Sequence, residues 1–196
     1  MGDALVHPFV RRAANAVAVR HGALVAWTAM ATPGISHGGR SAEERFRQAT
    51  GATKPGRAGD GDAVLDGCVI EVKRATAATL NQVRAVKYIP LVVLHEPTNR
   101  WYVVPAHIVV CLVAAKKRGQ HTENPFESST VNVFALGKYE VAESDLRTAT
   151  IAACQEANTY PEMKEAMATV LRESKALATK STDRVTALIK KLKLAP

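Results

Sequence analysis

Glu71-Val72-Lys73 sets a carboxylate and an ammonium two residues apart in a run of β-forming residues, Cys68 to Lys73. In a strand, residues two apart project from one face, so Glu71 and Lys73 share a side while Ile70 and Val72 enter the opposite layer. A second β-rich run, Asp62 to Leu65, precedes it, and between the two lies Asp66-Gly67, the strongest short-range signal for a two-residue hairpin turn. Such a turn pairs Leu65 with Cys68, and counting outwards sets Asp62 opposite Glu71, about 5 Å away on the same face. Two carboxylates at that separation repel unless a cation lies between them. Magnesium answers that need, because it takes oxygen ligands, retains several waters and is held by one or two carboxylates together with phosphate oxygens. Asp62 and Glu71 are therefore the expected metal ligands. Lys73, one step along the same face, can orient or help deprotonate an attacking water and offset charge developing on a phosphate. Asp60 is an alternative to Asp62 and in the same register faces Lys73, whereas Asp66 is a turn residue.

The elements that must hold this hairpin follow from hydrophobic spacing and breakers. A long Ala- and Val-rich helix is expected over 4–31, stopped by Thr32-Pro33-Gly34. Ser41 and Glu44 form a capping box for a short helix to about Thr50, and Gly51 ends it. The loop 52–61, with Pro55 and several glycines, carries Lys54 and Arg57. After the hairpin, Thr76 to Tyr88 predicts an amphipathic helix with Leu80 and Val83 inward and Asn81, Gln82, Arg84 and Lys87 outward. Leu91 to His95 and Trp101 to Val104 predict strands joined by a turn, and Pro105 opens a helix from Ala106 to about Lys117. A polar stretch from Gly119 to Thr130 leads to a strand at Val131 to Ala135. Helices over 145–157, 162–178 and 183–194 complete the chain. The order predicts an α/β (α+β) fold, a central mixed β-sheet flanked by helices with a helical C-terminal region, in one domain of 196 residues with its core at about 41–135.

With 47% hydrophobic residues the chain can bury a substantial core, and 22% charged residues excludes wholesale disorder. A net charge of +8 attracts polyanions, nucleic acid foremost. The charge recurs at Arg11 and Arg12, Arg45 and Arg47, Lys116 to Arg118, and Lys190 to Lys193. Lys116, Lys117, Arg118, Gln120, His121 and Asn124 form the densest basic and amide-bearing segment. Such side chains read guanine and adenine edges, although a lysine run after a helix also offsets its C-terminal dipole. Lys54, Arg57 and Gln82 are further candidate DNA contacts. Cys68, Cys111 and Cys154 lie far apart without metal-ligand spacing and are expected as reduced core residues, in keeping with a reducing cytoplasm. Apolar runs such as Ile89 to Leu94 are too short to span a bilayer.

Gly61-Asp62 on one strand and Glu71-Val72-Lys73 on the next resemble the PD-(D/E)XK nuclease superfamily, with Gly61 where the family has proline. The resemblance extends in element order over roughly Ser41 to Val104. It implies a restriction-endonuclease-like fold, magnesium as cofactor, and a further carboxylate from the preceding helix, Glu44 or Glu43, although capping also accounts for Glu44. The small, basic, single-domain chain looks most like a type II restriction endonuclease, a prokaryotic cytoplasmic enzyme that cleaves double-stranded DNA as a homodimer. A Holliday junction resolvase or DNA-repair nuclease on the same scaffold is an alternative. A non-catalytic basic DNA-binding protein is another.

Overall fold

In the computed structural model the described residues are 42–57, 59–173 and 178–195, all within the unit Gly39–Pro196. The helix expected over 4–31 and the Ser41 half of the capping box lie outside them. In chain order the elements are α1 (Ala42–Thr50), β1 (Ala63–Leu65), β2 (Cys68–Ala75), β3 (Thr79–Val83), β4 (Leu91–His95), β5 (Arg100–Val104), α2 (Ala106–Ala114), β6 (Ser129–Asn132), β7 (Glu140–Val141), α3 (Leu146–Ala157), α4 (Pro161–Arg172) and α5 (Ala178–Lys191), with short 3-10 turns between some of them.

Asp66 and Gly67 both have positive φ, 49° and 81°, the backbone a tight hairpin turn needs, and they join β1 to β2. Leu65 faces Cys68, Val64 faces Val69 and Ala63 faces Ile70, the register deduced from the turn. On its other side β2 runs parallel to β4, and β4, β5 and β7 continue antiparallel, which gives a five-stranded mixed sheet in the order β1-β2-β4-β5-β7. The molecule is thus an α/β protein whose mixed sheet packs against helices, with a helical C-terminal region.

Alternation along β2 divides the core into two layers. Ile70 and Val72 join Val92, Leu94, Trp101 and Val103 beneath α1 and α3, which contribute Phe46, Leu146 and Ala153. The opposite face, with Ala75, Leu91, Val93 and Tyr102, is covered by α2, α4 and the β3–β6 ribbon through Val110, Met163, Met167 and Leu80. Strand β4 is buried at all five positions, which explains its apolar run from Leu91 to Leu94.

The helix expected over Thr76 to Tyr88 is instead β3, antiparallel to β6, followed by a 3-10 turn, Ala85–Lys87. A register shift lies between Leu80 and Val83, with Gln82 at φ 55°. The extra residue brings Leu80 and Val83 to the same buried side although they are three apart, so a bulged strand reproduces helical spacing. Helix α2 stops at Ala114 rather than near Lys117, and the strand expected at Val131 to Ala135 is β6 followed by a 3-10 turn, Val133–Tyr139. Among the described residues no helix is long and apolar enough to cross a membrane.

The cysteines depart from expectation. Cys68 and Cys154 form a disulfide, and only Cys111 is free and buried. Cys68 begins β2 on the layer that α3 covers, so packing of α3 brings together two residues 86 apart in sequence. Their pairing removes the ground for expecting a reducing compartment. Arg147, also on α3, holds both carboxylate oxygens of Asp66 at 2.9 and 3.0 Å and donates to the carbonyl of Thr50. The hairpin is thereby fastened to α3 by a covalent bond and an exposed bidentate ion pair. Reduction, or Cys154→Ser, is expected to lower the unfolding free energy by about 2–4 kcal/mol. Urea unfolding with and without reductant measures it, and a midpoint indifferent to reductant would show that the bond does not form.

Candidate active site

Glu71 is only 7% exposed, and its backbone N–H donates to the carbonyl of Pro90 at 3.0 Å. Each carboxylate oxygen meets an ammonium: Lys73 Nζ lies 3.0 Å from Oε1, and Lys87 Nζ lies 2.6 Å from Oε2. Strand alternation explains the first pair. The second is brought in by the 3-10 turn between β3 and β4, which ends on Tyr88 at φ 48°.

Asp62 arrives by a different route from the one its position suggested. The β1–β2 ladder ends at Ala63 and Ile70, so Asp62 is not the direct cross-strand partner of Glu71. Its N–H donates to the carbonyl of Ile70 at 2.8 Å, and its Oδ2 accepts the N–H of Val72 at 2.8 Å. The carboxylate is therefore docked on β2 at the residue between Glu71 and Lys73. Arg47 of α1 donates to the Asp62 carbonyl at 3.2 Å and steadies the same residue from the other layer. Gly61 makes this approach possible: its φ is 134°, and a Cβ there would stand 2.5 Å from Val69 Cγ1. Proline, with φ fixed near −65°, cannot take that conformation, which accounts for Gly61 at this position.

Burial works to raise the Glu71 carboxyl, but hydrogen bonds and charge from Lys87 and Lys73 outweigh it and hold the group below its ordinary value of 4.5. Asp62 and Glu71 offer carboxylate oxygens, the donor type a hard cation takes, and among the described residues no group of three or more His, Cys, Asp or Glu could hold a metal ion. Two carboxylates are what magnesium takes from a protein when waters and phosphate oxygens complete its shell, so these residues fit the ion.

The other candidates are spread more widely. Glu44 and Glu43 line a cleft with Arg47, Gln48, Thr53 and Lys54, and none of Asp62, Glu71 and Lys73 borders it. Lys54, Arg57 and Asp60 are exposed on the loop ahead of β1. Lys116, Lys117, Arg118 and His121 are exposed beyond α2, and the side-chain oxygen of Gln120 accepts the N–H of Gln82 at 3.0 Å, which ties that loop to β3. Asn124 is a correction to the proposed DNA contacts, since it is 5% exposed and its side-chain oxygen accepts the N–H of Phe126 at 3.0 Å. It shapes the loop and does not present an amide to solvent. Lys87 falls on the polar side of the helix expected over Thr76 to Tyr88, and no local spacing links it to Glu71.

No protein-family model matches the sequence, and neither a curated protein nor a solved structure matches it.

Two outcomes follow from this geometry. Gly61→Ala is expected to lower stability by about 1–3 kcal/mol, since it forces an L side chain into a strained backbone region. Equilibrium unfolding measures this, and a neutral substitution would mean that the turn before Asp62 is built differently. The second concerns pH. Because the folded-state value of Glu71 lies below 4.5, its ionised form contributes stability that is present above pH 4.5 and lost as pH falls through the folded value. The stability difference between wild type and Glu71→Gln should thus shrink in acid, and a difference constant from neutral pH to about pH 3 would contradict the pairing with Lys73 and Lys87.

Proposed function

We propose that this chain is a magnesium-dependent DNA endonuclease of the PD-(D/E)XK type and, within that class, a type II restriction endonuclease acting on double-stranded DNA as a homodimer. The observation that carries the reading is the gathering of Asp62, Glu71 and Lys73 along three consecutive residues of β2. The mixed sheet and the basic surface agree with it.

Asp62 and Glu71 hold magnesium in this reading, and the bound ion supplies a more acidic water and neutralises charge on the phosphate. Lys73 stays on the strand beside them, where its ammonium orients the attacking water and faces the negative charge that grows on the phosphate. Docking Asp62 on a backbone N–H fixes one ligand before substrate arrives, so less order has to be created during the reaction. Glu44, on α1 in the cleft beside Arg47 and Lys54, is the further carboxylate of this reading. Lys54, Arg57, Gln82, Lys116, Lys117, Arg118, Gln120 and His121 contact DNA, the lysines and arginines chiefly through phosphates. A twofold dimer matches the symmetry of a palindromic site. One observation favours a second reading, a non-catalytic DNA-binding protein: both oxygens of Glu71 already meet lysines.

Plasmid and linear phage DNA, incubated with and without magnesium, separate these readings. Wild type is expected to give discrete fragments only with magnesium, and Lys73→Ala and Glu71→Ala to lose at least about a hundredfold in rate. Cleavage confined to four-way junctions would favour the resolvase alternative. Salt-sensitive binding without any cut would leave only the binding protein.

A further inference from the structure

We propose that Lys87 is the resident counter-ion of Glu71 that a divalent metal displaces, so that this lysine sets how tightly the site holds its ion. The inference rests on the nuclease reading and adds to it the residue that governs metal loading. Asp62 and Glu71 bring two negative charges, and Lys73 and Lys87 bring two positive ones, with Lys87 the nearer to Glu71 at 2.6 Å. The group is thus neutral as it stands. Adding a divalent cation beside both ammoniums leaves two uncompensated positive charges around a carboxylate that is 7% exposed. Like charges about 4 Å apart repel strongly where little water screens them. One ammonium has to withdraw.

The structure distinguishes the two lysines. Lys73 belongs to the same strand as Glu71, and its backbone is fixed in the β2–β4 ladder opposite Val93. Lys87 reaches Glu71 from a separate three-residue 3-10 turn. It also borders a cleft of about 680 Å³ whose walls include Gln155 and Asn158. A side chain with four rotatable carbons can turn from Glu71 into that cleft and find oxygen acceptors there, which gives the displaced ammonium a destination. Lys73 has its role at the reacting phosphate and keeps its place.

Manganese binding to the full chain without DNA, followed by electron paramagnetic resonance and calorimetry, tests this directly. Lys87→Met is expected to bind manganese about tenfold more tightly than wild type, a gain of about 1.4 kcal/mol. Lys87→Arg, which keeps the charge, should show no such gain, and Glu71→Gln should bind at least about tenfold more weakly. A residue that merely supported the fold would weaken binding when replaced, so the direction of change is diagnostic. If wild type binds manganese through Glu71 but Lys87→Met binds no more tightly, the counter-ion role is overturned and the nuclease reading stands. If neither wild type nor Lys87→Met binds the ion, both are overturned. The wild-type chain offers a readout that needs no variant: the Lys87 side-chain resonance should shift on saturation with magnesium, and a Lys87 signal unmoved by bound metal would also overturn the proposal.

Discussion

A carboxylate withdrawn from water costs several kcal/mol unless its charge is matched close at hand. Glu71 is matched twice, by Lys73 and Lys87, and the arrangement of the surrounding chain can be read from that requirement. Lys73 must alternate with Val72 so that one points to the carboxylate and the other into the layer beneath α1 and α3. Lys87 must be delivered at the edge of the same patch, which fixes where the chain crosses between β2 and its parallel neighbour β4. The crossover is made by the bulged β3 and a 3-10 turn, a compact path in which Val86 is anchored by an N–H bond to the carbonyl of Phe126 at 3.0 Å. The polar centre and the apolar layers are parts of one solution.

The second constraint is backbone approach. Asp62 reaches β2 only because Gly61 has no side chain and lies in a region of φ that L residues avoid. The aspartate then uses its carboxylate where a strand would use a carbonyl, accepting the N–H of Val72. An acid that completes a sheet edge has less freedom than one on a loop tip, and its position is set by hydrogen-bond geometry before any ligand is present.

Much of this was legible in the residues. Asp66-Gly67 determined the hairpin and its register, because few dipeptides take positive φ at two successive positions cheaply. The alternation of Glu71 and Lys73 with Ile70 and Val72 followed from strand geometry alone. The bulge at Gln82 was hidden, since Leu80 and Val83 mimic a helical period. Lys87 was hidden too, because its partner is sixteen residues away and the link depends on that bulge. The disulfide escaped for a related reason: only the docking of α3 on the sheet reveals that Cys68 and Cys154 share a layer. Short-range geometry is written in short-range sequence, and contacts between elements are not.

The attachment of the hairpin to α3 bears on the order in which the protein is made. Its tight turn can set the pairing of β1 with β2 as soon as those residues leave the ribosome, yet Arg147 and Cys154 are synthesised some eighty residues later. The acids and the amine of the candidate centre can therefore be aligned early, but they are clamped only once the third helix has been translated and docked. A nascent chain ending before α3 would carry every residue of the centre but lack the links of Arg147 and Cys154 to the hairpin.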